Sequence, residues 1–438
     1  MAEPTIENLN NIERRVKISV DIAPLTSQVN EQFMRLTKTA NIDGFRPGKV
    51  PLNVVEKQYG DDVKSEVYTR AIEKRFGDFV QANNIRVAGM PNIEHGALNN
   101  VTDNFEFTAT FEVFPDINIS DIKKLKITQY ETTVKVEDVK KTIDVLVRQR
   151  TVFKQIDRAA KLGDQVKVKL KSFIDNKEAE STGEEFIEIV LGDTSRIKEF
   201  DSEMVRLKAG IEKSFDIKYP KDHNPIELAD KQVSYQVAVL EVHEPIKPNV
   251  DKEFAKELGI EDGDIKKLNE SINESLLQEV DNRLKANIKQ QVFKSLVDAH
   301  EVDLPRALID IEIRQLAETT LKKLERDGAN MKDVKLEPSM FEDRAKVSCK
   351  LRLLLGHIVE SNSLESTNEQ TQAKIKEFSI NYDDPEQALK WFNEDPTRLQ
   401  EPKALATEDN VVEWFMGMCK IEKKSINFDK VISAKFDE

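Results

Sequence analysis

Residues 44–51 read Gly-Phe-Arg-Pro-Gly-Lys-Val-Pro, and this segment is the most informative part of the chain. Glycine supplies backbone freedom and proline fixes φ, so the composition predicts a shaped turn between two regular elements. Phe45 gains nothing locally from such a turn in water, and Arg46 follows it directly. An exposed aromatic residue beside an arginine is typical of an interface anchor. In the alternative interpretation, Phe45 folds back into the core of its own domain.

The sequence around this turn predicts a mixed α+β region. Alternating apolar and polar residues predict strands at 12–21 and 105–113. Apolar residues at helical spacing predict helices at 23–40, 51–58 and 61–81. Pro51 suits the first turn of a helix, where its missing N–H costs nothing. Helices on a sheet would hold Phe45 and Arg46 outward.

Composition limits the classes of function. The 438 residues suffice for about three domains, and 39% hydrophobic residues suffice for sizeable cores. The net charge of -14 argues against general nucleic-acid binding, which requires a basic face. Any contact with RNA would therefore use a local basic patch. The segment 35–57 offers one, with the cations Arg35, Lys38, Arg46, Lys49 and Lys57 against Asp43 and Glu56.

The sequence predicts a soluble cytoplasmic protein. No secretory signal heads the chain, and no apolar run approaches the roughly 18 residues that span a membrane. Cys349 and Cys419 are too few for a disulfide framework and fit a reducing compartment. The five histidines lie far apart and show no metal-ligand spacing, and no phosphate-binding loop is present. We therefore expect no metal, no cofactor and no dependence on ATP.

Three further regions follow the first. Residues 120–151 are typical of a connector, with an extended arm at 126–134 and a helix at 136–150. Residues 157–244 carry several period-2 runs and a short helical segment at 200–207, which predicts a small β-rich domain. From Pro245 onward the pattern is helical, beginning with a helix of about thirty residues that is long enough to form an arm.

The 44–51 segment resembles the ribosome-docking signature of bacterial trigger factors. That signature reads Gly-Phe-Arg, any residue, Gly-Lys, any residue, Pro, and every fixed position is matched. The helical region is similar to the same family in Leu304-Pro305 and in Leu353-Leu354-Leu355-Gly356. The resemblance implies a multidomain α+β fold: a ribosome-binding domain at 1–117, a linker at 118–155, an FKBP-like domain at 156–245, and an all-α chaperone domain with long arms at 246–438.

The resemblance also implies a function and its partners. The chain would be an ATP-independent chaperone that docks at the ribosomal exit tunnel and holds nascent polypeptides. Its partners would be the large ribosomal subunit near the tunnel exit, through protein and rRNA, and unfolded nascent chains, with neither DNA nor membrane. Away from the ribosome it would form a homodimer. The residues that match the signature, and would bind the ribosome, are Gly44, Phe45, Arg46, Gly48 and Lys49.

The middle region resembles an FKBP-type prolyl isomerase domain, but its pocket residues depart from the family pattern. The family's Ile-Pro-Gly-Phe corresponds to Ile197-Lys198-Glu199-Phe200, which keeps only the apolar ends. The loop tyrosine aligns with His223, and the phenylalanine of a late strand becomes Tyr235. The candidate isomerase residues are therefore Ile197, Phe200, His223 and Tyr235. Two interpretations stay open: a working isomerase, and a retained fold with weak or absent catalysis.

Two alternative functions follow from the same residues. The first is a free peptidyl-prolyl isomerase whose helical domain recruits substrate. The second is a scaffold that binds assembled partners through its helical arms without holding unfolded clients. Ribosome binding that depends on the 44–51 segment would disfavour both.

Overall fold

The computed structural model of the chain describes residues 4–43, 45, 48–95, 104–119, 121–174, 177–178, 185–193, 198–220, 230–328, 336–380, 382 and 384–436. The chain forms two compact units, and each is built from two separate segments. The first unit comprises 1–129 and 285–424, and the second comprises 130–284 and 425–438. None of the helices in these described ranges has an apolar stretch long enough to span a lipid bilayer.

The strands are β1 (Ile6–Asn8), β2 (Glu13–Asp21), β3 (Asn92–His95), β4 (Asn104–Glu112), β5 (Lys126–Glu131), β6 (Val152–Ile156), β7 (Gln165–Ile174), β8 (Lys177–Glu178), β9 (Glu185–Val190), β10 (Glu212–Lys218), β11 (Gln232–Ile246) and β12 (Lys420–Ser425). The helices are α1 (Ala23–Thr39), α2 (Leu52–Ala82), α3 (Val136–Gln149), α4 (Lys198–Met204), α5 (Lys252–Glu257), α6 (Ile265–Ala299), α7 (Arg306–Arg326), α8 (Glu342–Asn362), α9 (Asn368–Ser379), α10 (Pro385–Glu394), α11 (Gln400–Met416) and α12 (Phe428–Ile432). The predicted multidomain α+β fold is confirmed.

The N-terminal part of the first unit is an antiparallel sheet covered by α1 and α2. Its strand order is β1-β2-β4-β3. The pairing of β2 with β4 sets Val16 opposite Ala109 and Ile18 opposite Phe107. These side chains are buried with those of α1 and α2 in one core. The period-2 patterns that predicted strands at 12–21 and 105–113 therefore mark the core face of this sheet.

The helical prediction that follows the 44–51 turn was wrong in one respect. We expected separate helices at 51–58 and 61–81, whereas α2 is one continuous helix of 31 residues. Gly60 lies inside it, and a side chain there would meet nothing within 4 Å. A glycine in a helix costs about 1 kcal/mol relative to alanine. Val55 and Val63, on either side of Gly60, are both buried in the core, so packing holds the helix together through the glycine.

The rest of the first unit is mainly helical. Its core joins Val292 and Leu296 of α6 to Leu354 of α8 and Phe415 of α11. Ile122 and Ile127, from the segment predicted to be a connector, are buried in the same core. This part of the connector is therefore packed against the helical region. The helical prediction from residue 246 onward omitted one strand, β12, which pairs with β5.

The second unit contains the β-rich domain and a helical part. Strands β10, β11, β7 and β8 are neighbours in that order, while β6 pairs with β11 and β9 with β7. Helix α4 packs on this sheet through Phe200 and Met204. In the helical part, Val139 and Ile143 of α3 contact Phe254 of α5 and the first turns of α6. Val431 of α12 packs near Val280 of α6.

Candidate functional site

The 44–51 turn connects α1 to α2, and its aromatic residue is exposed. Phe45 leaves 39% of its surface accessible and is absent from the core of its unit. Its backbone N–H donates to the carbonyl of Ile42 at 3.0 Å. Gly44, Arg46 and Pro47 lie outside the described residues. The alternative in which Phe45 fills the core of its own domain does not fit this exposure.

Both ends of the 44–51 turn are fixed by buried residues. Ile42 just before it and Val50 near its end belong to the core formed with the sheet. The Pro51 carbonyl accepts the backbone N–H groups of Val54 and Val55 and so begins α2. Gly48 has φ +79°, a left-handed conformation that favours glycine. Buried residues therefore flank Phe45 on both sides in sequence, while Phe45 itself stays outside the core.

Exposed cations precede and follow Phe45 in the sequence. Arg35 and Lys38 lie on the last turns of α1, Lys49 lies in the 44–51 turn, and Lys57 lies on α2. None of the four forms an ion pair with another residue in the described part of the chain. Within residues 35–57 the exposed acids are Asp43 and Glu56, and Glu31, Asp61 and Asp62 are exposed just outside this segment. Segment 35–57 thus carries one exposed aromatic residue and more exposed cations than acids.

A second candidate site lies in the β-rich domain, where four aromatic side chains meet. The Phe200 ring of α4 packs edge-to-face on Tyr235 of β11, with ring centroids 5.3 Å apart, and on Phe215 of β10 at 5.5 Å. The hydroxyl groups of Tyr235 and Tyr219 are 2.6 Å apart and share a hydrogen bond. Phe200 and Tyr235, both predicted site residues, therefore belong to one cluster. Ile197 and His223 lie outside the described residues.

The cluster contains residues that the sequence analysis did not select. Phe215 and Tyr219 lie on β10 and just after it, and the alternation Phe215, Ile217, Tyr219 was a usable signal for them. Asp201 follows Phe200 on α4 and is buried, and its carboxylate accepts the backbone N–H of Gly192 at 2.8 Å. This bond ties α4 to the segment that follows β9. No sequence pattern pointed to Asp201.

The electrostatics of the cluster favour a neutral surface. Burial raises the pKa of Tyr235 well above its usual value, and the hydrogen bond with Tyr219 raises it further. The phenol therefore stays protonated at any physiological pH. Within the described ranges, no three His, Cys, Asp or Glu side chains are grouped so that they could hold a metal ion. The cluster can bind an apolar group by contact, with one hydroxyl pair as its polar feature.

Comparison with known proteins gives the family. The family model for the bacterial trigger factor protein matches residues 2–146, and the model for its C-terminus matches residues 264–417. The trigger factor of Methylobacillus flagellatus is 42% identical over 430 residues, which cover 98% of this chain and 99% of that protein. The chain belongs to the bacterial trigger factor family. The resemblance seen in the sequence is confirmed.

Two further sequence matches agree with this assignment. The trigger factor of Aromatoleum aromaticum is 36% identical over 436 residues, covering 98% of this chain and 99% of that protein. The model for FKBP-type peptidyl-prolyl cis-trans isomerases matches residues 157–249. A solved structure described as "Promiscuous Substrate Recognition in Folding and Assembly Activities of the Trigger Factor Chaperone" aligns with 94% of this chain and all of that one, at 16% identity and a TM-score of 0.48.

Members of the trigger factor family are ribosome-associated chaperones that bind nascent chains. The chain is therefore a chaperone of this family with an FKBP-type domain. Its N-terminal model match includes the 44–51 turn, and its FKBP-type match includes the aromatic cluster. Both candidate sites thus fall in regions that the family shares.

Proposed function

We propose that the 44–51 turn anchors this chaperone to the large ribosomal subunit near the tunnel exit, in the cytoplasm and without ATP. Gly44, Phe45, Arg46, Gly48 and Lys49 would form the contact. The observation that carries the proposal is the exposure of Phe45 on a turn whose two ends are buried in a core. Such a side chain can enter a pocket on a partner at a lower entropic cost than one on a fully flexible loop, because the backbone on both sides of it is already anchored.

The charges near the turn favour a partner that is partly RNA. Arg35, Lys38, Lys49 and Lys57 are exposed cations on a protein whose net charge is -14. Phosphate groups would attract this patch and be repelled by the rest of the surface, so the charge orients the protein as it docks. In this proposal Phe45 provides the apolar contact, and the cations provide contacts to rRNA that weaken with salt.

Co-sedimentation with ribosomes tests the anchor. We expect the Phe45→Ala, Arg46→Ala double variant to bind ribosomes about tenfold or more weakly than the wild type, because it loses both the aromatic and a cationic contact. Met90→Ala is the matched control, since Met90 is 95% exposed in the same domain. It follows the far end of α2, a helix about 46 Å long at 1.5 Å per residue.

The salt dependence separates the two kinds of contact. Lys49→Ala and Lys57→Ala should each flatten the decline of ribosome affinity with salt, whereas Phe45→Ala should weaken binding at every salt concentration. Equal binding by the wild type and a folded double variant would overturn the assignment. Equal loss in Met90→Ala would show that the effect is not specific to the turn.

A second activity, prolyl isomerisation, is favoured by the aromatic cluster around Phe200. Rotation about a peptide bond has a barrier of roughly 18–20 kcal/mol, and an apolar pocket that excludes water and grips the twisted bond can lower it. We propose that Phe200 and Tyr235 line this pocket, together with Ile197 and His223. Lys198 and Glu199 are exposed beside Phe200 and stand where the family pattern has Pro-Gly, so we propose weak catalysis.

A protease-coupled isomerisation assay on a short X-Pro peptide tests this activity. We expect Phe200→Leu to lower kcat/KM about tenfold, because it removes the edge-to-face ring contacts with little change in buried volume. Phe186→Leu is the control, since Phe186 is exposed in the same domain. Unchanged catalysis in a folded Phe200→Leu protein would contradict the pocket assignment, and no activity in the wild type would support the non-catalytic interpretation.

Self-association completes the proposal. The family resemblance implies a homodimer when the protein is free of the ribosome, and sedimentation velocity over a range of concentrations measures it. If the ribosome and the second copy compete for the same surface, Phe45→Ala should weaken the dimer as well. A monomer at all accessible concentrations would contradict the homodimer.

A further inference from the structure

Sulfur-containing residues are concentrated where α11 ends and β12 begins. The chain has two cysteines and eight methionines, yet Met416, Met418 and Cys419 lie within four consecutive positions. The Cys419 Sγ lies 4.0 Å from the Met416 Sδ and 3.9 Å from the Met416 carbonyl oxygen. A thiol and a thioether are therefore in contact at the end of a helix.

The backbone holds this sulfur pair in place. The Phe415 carbonyl accepts the N–H groups of both Met418 and Cys419 at 3.0 Å, which closes a tight turn after α11. Phe415 itself is fully buried in the helical core of the first unit. The pair is thus anchored through its main chain and would lose little freedom when it binds a ligand.

The surroundings of the pair are apolar but not sealed from solvent. Met416, Met418 and Cys419 are half-buried, and they pack against the core that contains Val411 and Phe415. The pair also lies at the C-terminal end of α11, where the negative end of the helix dipole favours a cation. A ligand that suits this place is small and positively charged and binds to sulfur.

Sulfur ligands select soft metal ions. Thiolates and thioethers favour Cu(I), whereas hard ions such as Mg²⁺ take oxygen ligands. A metal–sulfur bond is about 2.3 Å long, so two sulfur atoms on one ion can be up to about 4.6 Å apart. The 4.0 Å separation of the Met416 and Cys419 sulfur atoms lies within that limit, so one ion can contact both.

The same surroundings favour a singly charged ion. Such an ion and the Cys419 thiolate together form a neutral pair, which a half-buried apolar setting tolerates. Zn²⁺ would stay positive beside one thiolate, and it usually takes four ligands. In the part of the chain that the structure describes, no three His, Cys, Asp or Glu side chains are grouped to supply such a set. The site therefore fits a soft monovalent ion better than zinc.

We propose that Cys419 and Met416 bind one soft monovalent metal ion, of which Cu(I) is the biological example. The metal forms a bond to each sulfur, and the S–H bond of Cys419 breaks and releases its proton to the buffer. The oxidation state of the metal does not change. The expectation of no metal rested on the spacing of histidines, which carries no information about sulfur ligands. The site involves neither the ribosome contact nor prolyl isomerisation, so it goes beyond the proposed function.

Anaerobic titration with Cu(I), in competition with a coloured chelator, measures the affinity. We expect the wild type to bind one equivalent, Cys419→Ser to bind about a hundredfold more weakly, and Met416→Leu to bind about tenfold more weakly. Leucine is close to methionine in volume, so Met416→Leu removes the sulfur with little change in packing. The matched controls are Cys349→Ser, which removes the buried thiol of α8, and Met340→Leu, which removes an exposed thioether. Both should bind as the wild type does.

The methyl signals of isotope-labelled methionines locate the ion by NMR. Ag(I), which has the same charge and does not change oxidation state in air, should shift the Met416 signal and leave that of Met340 unchanged. Wild-type affinity in a folded Met416→Leu protein would overturn the proposal, since the thiol alone would then be the ligand. An unmoved Met416 signal, or wild-type affinity in Cys419→Ser, would overturn it as well.

Discussion

At the scale of single residues, Gly89 and Gly163 share a backbone conformation but differ in their surroundings. Both have φ +94°, which side chains rarely adopt. A Cβ on Gly89 would overlap the Cβ of Ala307 in α7, whereas a Cβ on Gly163 would meet nothing within 4 Å. Gly89 therefore allows the N-terminal domain to contact α7 closely, and Gly163 serves only a turn.

This pair separates backbone strain from steric overlap. We expect Gly163→Ala to cost about 1 kcal/mol of unfolding free energy, from the left-handed conformation alone. Gly89→Ala should cost about 1–3 kcal/mol more, because either the backbone or α7 must shift. Urea unfolding, combined with hydrogen exchange measured segment by segment, gives the loss of unfolding free energy for each of the two substitutions. Equal costs for the two substitutions would show that the contact with Ala307 is loose.

The Tyr219–Tyr235 hydroxyl pair predicts a dependence of stability on pH. Burial and the hydrogen bond raise the pKa of Tyr235 when the domain is folded, whereas the unfolded phenol ionises near its usual value of about 10. The contribution of Tyr235 to stability is therefore complete below about pH 10 and is lost as the pH rises further.

Thermal unfolding of the wild type and Tyr235→Phe between pH 8 and about 11 tests this expectation. At pH 8 the variant should be less stable by about 1 kcal/mol, since the Tyr219 hydroxyl loses this partner. Above pH 10 the difference in stability between the wild type and the variant should shrink. Only the wild type carries the Tyr235 phenol, and its unfolded state gains stability there because the unfolded phenol ionises while the folded phenol does not. A constant difference across the whole range would show that the phenol pKa is not raised.

At the scale of elements, α7 is capped by a residue that is distant in sequence. Pro305 precedes the helix and offers no side-chain cap. The Glu112 carboxylate of β4 accepts the backbone N–H groups of Arg306 at 2.9 Å and Ala307 at 3.0 Å. A carboxylate at a helix N-terminus satisfies unpaired donors and interacts favourably with the helix dipole. One side chain thus joins the N-terminal sheet to the helical region.

Removing this cap should loosen the start of α7. We expect Glu112→Ala to cost about 1 kcal/mol and to speed amide hydrogen exchange in the first two turns of α7. The control is Glu106→Ala, which removes a carboxylate of the same strand that pairs with Lys17 at the surface. Unchanged exchange in α7 after Glu112→Ala would contradict the capping role, and so would an equal change after Glu106→Ala.

How far each element could be predicted depends on where its stabilising contacts come from. The strands β2, β4, β7, β9 and β11 were evident because alternate residues of each face one core. The break expected near Gly60 did not occur, because the stability of α2 comes from burial on both sides of the glycine. The strand β12 was missed, because none of its residues is buried and no periodicity results.

At the scale of the whole molecule, the two compact units do not follow the order of the chain. The second unit takes residues 130–284 and then the last segment, 425–438. Phe428 and Val431 of that segment are buried beside Val280 of α6. Tyr130 also stacks with Phe436, with ring centroids 5.4 Å apart, and bonds to its carbonyl. The segment 425–438 therefore completes the core of a unit that begins at residue 130.

Deleting residues 425–438 tests this arrangement. We expect the helical part of the second unit to lose about 3–6 kcal/mol, from uncovering the sites of two large apolar side chains. Hydrogen exchange should rise in α3 and in the first half of α6, while strands β7 and β11 keep their protection. A chain that ends at Phe436 is the control. Unchanged protection in α3 would show that the last segment is not part of this core.

The sequence by itself determined the family, the order of strand-rich and helical regions and the prominence of the 44–51 turn. Each of these depends on a short stretch of sequence, either a motif or a local periodicity of apolar residues. The tertiary structure alone decided that Phe215 and Tyr219 join Phe200 and Tyr235, that Glu112 caps α7 and that the last residues complete the second unit. Periodicity indicates that a residue faces a core. It does not indicate which distant segment packs against that residue, because this depends on packing between elements that are far apart in the chain.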